Sequence, residues 1–232
     1  MLDILVNHGR NLLIGRFPSG PLGGLAMTLL LSVLCLALTF PAATLMALAR
    51  TSGIDWLQRL CVGFLYAVRG MPLLMLVFWL YYFLPYVLGF TISPFVTMLI
   101  AITVFQTAYL SEVIRAAIEA LPRGQFEAAQ AIGLSYFGRT AYIVLPQALA
   151  NCIPGIVSQF ILIIKETSLG YIITFNELTY VATELNNILL VKPVQIFAIL
   201  AASYFILCSS LSHFSAWLER RIETRRKAPQ HA

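Results

Sequence analysis

The chain has 232 residues, of which 59% are hydrophobic and 11% charged, with a formal net charge of +5 and a mean hydropathy of +0.84. Soluble domains carry roughly 25% charged residues, so this composition excludes a water-soluble globular protein. Cys35, Cys61, Cys152 and Cys208 lie apart, without Cys-x-x-Cys spacing. They read as small apolar residues, not as a disulfide framework or a metal site, and neither metal nor cofactor is expected.

The elements in chain order predict an all-α membrane protein. Residues Leu2–Leu13 form a short predicted helix in the outer interface. With no basic stretch leading a cleavable apolar segment, no signal peptide is expected. Pro18, Gly20, Pro21, Gly23 and Gly24 close this outer N-terminal segment, 1–21. Crossing about 30 Å of hydrocarbon takes about 20 apolar residues in a helix. Five runs meet that requirement: Leu22–Ala49, Leu60–Tyr86, Phe90–Leu110, Tyr142–Ile164 and Val194–Leu218. Together they make a single transmembrane domain, 22–220, followed by a basic tail, 221–232.

Pro41 lies inside the first span, where it kinks the helix or marks a close contact. Arg69 is the internal charge of the second span, about midway along it. Pro85–Pro94 carries no charge and reads as a tight outer turn. The third span runs down to Glu112–Glu119, where Tyr109, Glu112, Arg115 and Glu119 share a face at ion-pair spacing. The fourth ends at Lys165-Glu166-Thr167-Ser168. In the connection to the fifth, Leu178, Val181, Ala182 and Leu185 recur at helical spacing and predict a short surface helix.

Basic residues set the orientation. Arg50, Arg59, Arg115, Arg123, Arg139, Arg220, Arg221, Arg225, Arg226 and Lys227 fall on one side, against Arg10, Arg16 and Lys192, with or without Lys165, on the other. That asymmetry predicts an outer N-terminus and a cytoplasmic C-terminus. The positive charge is thus a topology signal, with no nucleic-acid partner implied, and the tail ERRIETRRK suits anionic lipid headgroups. An odd number of spans argues against an inverted repeat within one chain, so a pore needs a second subunit.

The polar interruption between spans three and four, 120–146, contains EAAQAIGLSYFGRTAYIVLP from Glu127 to Pro146. Its first part is rich in alanine and predicts a slim helix stopped near Gly133. Such a helix fits a groove on a partner protein where bulkier side chains hold backbones apart. The plain alternative is a loop that only joins two spans. The segment resembles the EAA loop of bacterial ABC importer permeases at Glu127, Ala128, Ala129, Gly133, Ile143, Leu145 and Pro146.

The resemblance extends to RGMPLLMLVFWLYYFLP at Arg69–Pro85, to Ala108–Pro146 with the QALANCIPG that follows, and to KETSL at Lys165–Leu169. These segments cover about half of the chain and are similar to permeases of the histidine/glutamine/glutamate/arginine group. Met71 stands where Thr is frequent, Glu166 where Asp is frequent, and Gly170 where a larger residue is frequent. The resemblance implies a type I importer permease fold with a cytoplasmic coupling helix. It also implies partners: two ABC ATPase subunits, a second permease subunit (identical or sister), a solute-binding protein outside, and a polar amino acid as substrate.

Within that framework Glu127, Ala128, Ala129, Gly133 and Leu134 are candidates for ATPase docking. Arg69, Thr107, Lys165, Glu166, Thr167 and Ser168 are candidates for the substrate pathway. An amino acid needs a cation for its carboxylate and an anion for its ammonium. Arg69 suits the first and Glu166 the second, with a helix break at Glu166–Ser168 freeing backbone groups. The alternative is that Arg69 and Glu166 pair with each other or with neighbouring helices and only fix packing. Arg69 and Lys165 together favour acidic or amide amino acids, while Glu166 leaves histidine or arginine open.

No G-x-x-x-x-G-K-[ST] is present, so ATP must be hydrolysed by another chain. No metalloprotease or nucleophile-elbow motif occurs, and no catalytic residue is expected. The rival class is a stand-alone secondary transporter or channel, which needs a full pathway and an ion-coupling site in this one chain.

Overall fold

The computed structural model describes residues 2–190 and 192–227. These form α1 (Leu2–Ile14), α2 (Gly24–Thr51), α3 (Asp55–Arg69), α4 (Leu73–Phe78), α5 (Leu84–Leu88) and α6 (Pro94–Glu119). There follow α7 (Arg123–Ala131), α8 (Tyr136–Arg139), α9 (Leu145–Glu166), α10 (Leu178–Leu189) and α11 (Pro193–Lys227). π-helical turns at Trp79–Phe83 and Thr140–Val144 join α4 to α5 and α8 to α9, and a 3-10 segment, Thr167–Ile173, continues α9.

Among the described residues four helical stretches are long and apolar enough to cross a membrane: Gly24–Thr51, Pro94–Glu119, Tyr136–Ile173 and Pro193–Arg221. A fifth crossing is available only if Asp55–Arg69 and Leu73–Leu88, bent by 95°, count as one span. The unbroken second span expected over Leu60–Tyr86 is therefore corrected to two helices meeting at Gly70–Pro72. The cause is local. Proline disfavours helical backbone in the residue before it, so Met71 cannot continue α3. Gly70 ends that helix by donating its N–H to the Tyr66 carbonyl at 2.9 Å. Pro41, by contrast, does not interrupt α2.

The sequence explains the other boundaries. Ser93 caps α6 by accepting from the Val96 N–H at 3.4 Å, and Pro94 occupies the first turn, where its missing N–H removes nothing. α6 is the central helix, packed against α2, α3, α4 and α9. Leu31, Val77, Met98, Ile102 and Ile163 form one core. Ala43, Ala47, Leu110, Ile114 and Ala148 form a second, where small side chains let helices approach closely.

The four residues expected to make the buried face of α10 do so. Leu178, Val181, Ala182 and Leu185 pack against Ile4 and Leu12 of α1 and Ile196 and Ile199 of α11. This layer ties the N-terminal helix to the rest. Gly24 N–H bonds the Asn176 carbonyl at 3.0 Å, and Leu178 N–H bonds Thr28 Oγ1 at 3.1 Å.

Candidate functional site

Two arrangements stand out, at opposite ends of the antiparallel pair α6 and α9. The first is a polar chain inside the bundle. Glu166, half-buried at the last position of α9, accepts a hydrogen bond on Oε2 from Gln106 Nε2 of α6 at 2.6 Å. Gln106 in turn accepts on Oε1 from Gln159 Nε2, two helical turns before Glu166. Gln106 is 1% exposed and Gln159 6%.

The other expected pathway residues are distributed differently. Arg69 is exposed at the end of α3, with its guanidinium 5.1 Å from the Tyr109 ring centroid. Arg69 and Glu166 form no ion pair with each other among the described residues. Thr107 is buried and donates to the Thr103 carbonyl at 2.7 Å. Thr167 is fully buried and donates to Ile164, and Ser168 donates to Lys165, both to backbone oxygens. Lys165 points to an exposed position. The helix break expected at Glu166–Ser168 is not found; the helix instead tightens from α to 3-10 winding after Glu166.

Beyond that point the chain folds back on itself. Phe175 N–H bonds the Gly170 carbonyl at 3.0 Å, and a Cβ on Gly170 would lie 2.7 Å from Phe175 Cδ1. The Phe175 ring thus occupies the space that a larger residue at 170 would need. Glu177 then caps α10, accepting from the N–H groups of Thr179 and Tyr180 at 2.7 Å each and from Tyr204 Oη at 3.1 Å. Burial pushes its carboxyl up to about 7, against these hydrogen bonds, which favour the charged form.

The second arrangement is the loop, where α7 stands between α6 and α8. Ala129 is buried at 3% exposure, whereas Glu127, Ala128 and Gly133 are exposed and Leu134 is half-buried. Gly133 has φ +78°. Its N–H bonds the Gln130 carbonyl at 3.0 Å, and Leu134 N–H bonds the Ala129 carbonyl at 3.2 Å. This pair of bonds is the Schellman stop, which a left-handed glycine makes at low cost. Arg139 braces α7, its guanidinium 5.7 Å from the Phe126 ring centroid and 5.6 Å from that of Tyr136.

A charged ladder lies between the two arrangements. Arg50 pairs with Glu112, Arg115 bonds Glu112 at 2.9 Å, and Arg115 also bonds Glu119. The spacing within α6 announces three of these four groups. The ring of Tyr109, expected on the same face, lies beneath Arg69.

The family model for the inner membrane component of binding-protein-dependent transport systems matches residues 39–224. The chain belongs to this family. It is 36% identical over 212 residues to a glutamate/glutamine/aspartate/asparagine transport system permease protein, BztC, of Rhodobacter capsulatus, covering 88% of this chain and 48% of that protein. It is also 33% identical to a probable glutamine ABC transporter permease protein, GlnP, of Bacillus subtilis, covering 87% of this chain and 91% of that one. A crystal structure of an amino acid ABC transporter with histidines matches at 30% identity and a TM-score of 0.78, over 85% of this chain and 92% of that one. This inner membrane component thus spans about half the length of the first relative and nearly all of the other two.

Within the family assignment, sequence reasoning missed Gln106, Gln159 and Arg50. The available signal was their polarity inside or beside apolar runs, where each needs a partner. Their partners lie 53 to 62 residues away, beyond any local pattern.

Proposed function

We propose that this chain is the membrane-spanning subunit of an ATP-driven importer of polar amino acids, with a lean toward glutamate, aspartate or glutamine. It works with a second permease subunit, two ATPase subunits and an external solute-binding protein. It hydrolyses no ATP itself. The N-terminus lies outside and α7 in the cytoplasm, in keeping with the basic residues that cluster at the α7 end. The names of the relatives support the substrate class.

The observation that carries this reading is the form of α7. It is a slender helix held from behind by Ala129, with Glu127 and Ala128 exposed and a sharp glycine stop. That shape suits a groove on an ATPase, and rocking two such helices together would tilt α6 and α9, to which the loop is joined. The mechanism needs two packings of the bundle whose balance is biased by ATP on one side and by the docked binding protein on the other. Glu166 offers an anion for the substrate ammonium, and Arg69 a cation for its carboxylate, along a pathway that includes Thr107, Lys165, Thr167 and Ser168.

The test is reconstitution of the chain in proteoliposomes with and without the ATPase, using a panel of all twenty amino acids. ATP-dependent uptake that requires both ATPase and binding protein is the expected result. Uptake by the lone chain under an ion gradient would overturn the proposal.

A further inference from the structure

Inside the bundle lies the three-residue polar chain Gln159–Gln106–Glu166, and its direction is fixed by chemistry. An ionised carboxylate only accepts hydrogen bonds. Gln106 must therefore turn its NH2 toward Glu166, which leaves its carbonyl oxygen facing Gln159. Gln159 must then present its own NH2. Each amide sits in one of two possible flips because its neighbour dictates it. Glu166 Oε1 makes no hydrogen bond to the protein among the described residues, and the side chain is half-buried.

Two buried amides, one bonded to the carboxylate and the other bonded to the first, exceed what packing needs. An apolar pair would hold α6 against α9 without the cost of burying polar groups. We propose that Gln106 and Gln159 are positioning residues that hold the Glu166 carboxylate in one orientation for the ammonium group of an amino acid. Gln159 acts only through Gln106. The inference rests on the reading of Glu166 as a pathway residue, and it adds why that carboxylate is presented with one oxygen free. The Gln106 amide, itself held by Gln159, occupies Oε2, so Oε1 is left for the incoming N–H3 group.

The test uses the full complex with its ATPase, purified in nanodiscs without the binding protein. Direct binding of radiolabelled glutamine, glutamate, histidine and arginine is measured for the wild type and for E166Q, Q106M, Q159M and Q159E. For whichever probe binds the wild type, E166Q and Q106M should each weaken binding about tenfold, the scale of a hydrogen bond to a charged group. Q159M should weaken it severalfold although it does not touch Glu166, and Q159M combined with E166Q should be no worse than E166Q alone. Q159E keeps the volume but, ionised, turns the Gln106 amide over and sets its oxygen against Glu166, so its loss should exceed that of Q159M.

Wild-type affinity in Q106M and Q159M, or losses that simply add to that of E166Q, would overturn the positioning role. So would a fall in melting temperature with affinity unchanged. Unchanged binding in E166Q, or no binding of any probe to the wild-type complex, would instead remove the pathway reading beneath it.

Discussion

Arg50, in the last turn of α2, forms an ion pair with Glu112 of α6, and Arg115 bonds the other oxygen of the same carboxylate at 2.9 Å. One carboxylate thereby clamps two helices just above the α7 loop. Their side chains are 15% and 25% exposed, so the pair is worth more than a surface bridge but less than a dry one. Arg50→Met should cost about 1–2 kcal/mol of stability. In a double-mutant cycle with Glu112→Gln the two changes should couple by about 1 kcal/mol. Thermal unfolding in nanodiscs measures this, and strict additivity would show that the contact contributes nothing.

Gly133 holds φ +78° with no heavy atom within 4 Å of a would-be Cβ, so a substitution there meets only a backbone penalty. Gly133→Val should cost about 1–2 kcal/mol locally, and Gly133→Asn distinctly less. Hydrogen exchange across 123–134 should accelerate in the valine variant, with membrane insertion unchanged. ATP hydrolysis stimulated by the binding protein should fall in the same order. Equal behaviour of Asn and Val would mean that the left-handed turn is not required.

Gly170 and Phe175 share one space. Gly170→Ala pushes a methyl group into the ring and should destabilise the chain by about 1–3 kcal/mol. Phe175→Leu in the same chain should recover part of that loss. A melting series of the two single variants and the double variant decides the matter; no recovery in the double variant would place the strain elsewhere.

Glu177 supplies a pH dependence. Its folded-state carboxyl is raised to about 7, above the ordinary carboxylate range near 4.3, so the folded state binds the proton more tightly than the unfolded state. Its contribution to stability is then fully present below about pH 4.3 and lost as pH rises toward 7. Melting temperature should fall across that window, and Glu177→Gln should flatten this component. A slope of the opposite sign would mean that the N–H groups of Thr179 and Tyr180 outweigh burial.

Much of this molecule is legible without coordinates because lipid imposes simple rules. Run length and charge placement outline the long helices, and the spacing of Leu178, Val181, Ala182 and Leu185 marks the buried face of α10. Gly133 announces the stop of α7 through its position after an alanine-rich turn. The 95° elbow at Gly70–Pro72 escapes a hydropathy reading, since apolar residues on both sides keep the average high. Its cue was steric, in the Met-Pro step, not hydrophobic. Gln106 escapes for another reason: its neighbour Thr107 is equally polar in sequence, and only the tertiary pairing of α6 with α9 decides which of the two meets Glu166.

The change of winding after Glu166 has a mechanical meaning. An α-helix turns about 100° and rises about 1.5 Å per residue, whereas a 3-10 helix turns about 120° and rises about 2.0 Å. Each residue that crosses the seam between them twists the outer strand of chain by about 20° and lifts it by about 0.5 Å. The carboxylate of Glu166 sits on that seam, so a shift of one or two residues acts as a screw thread that can re-aim Ser168 and everything beyond it without breaking the rod.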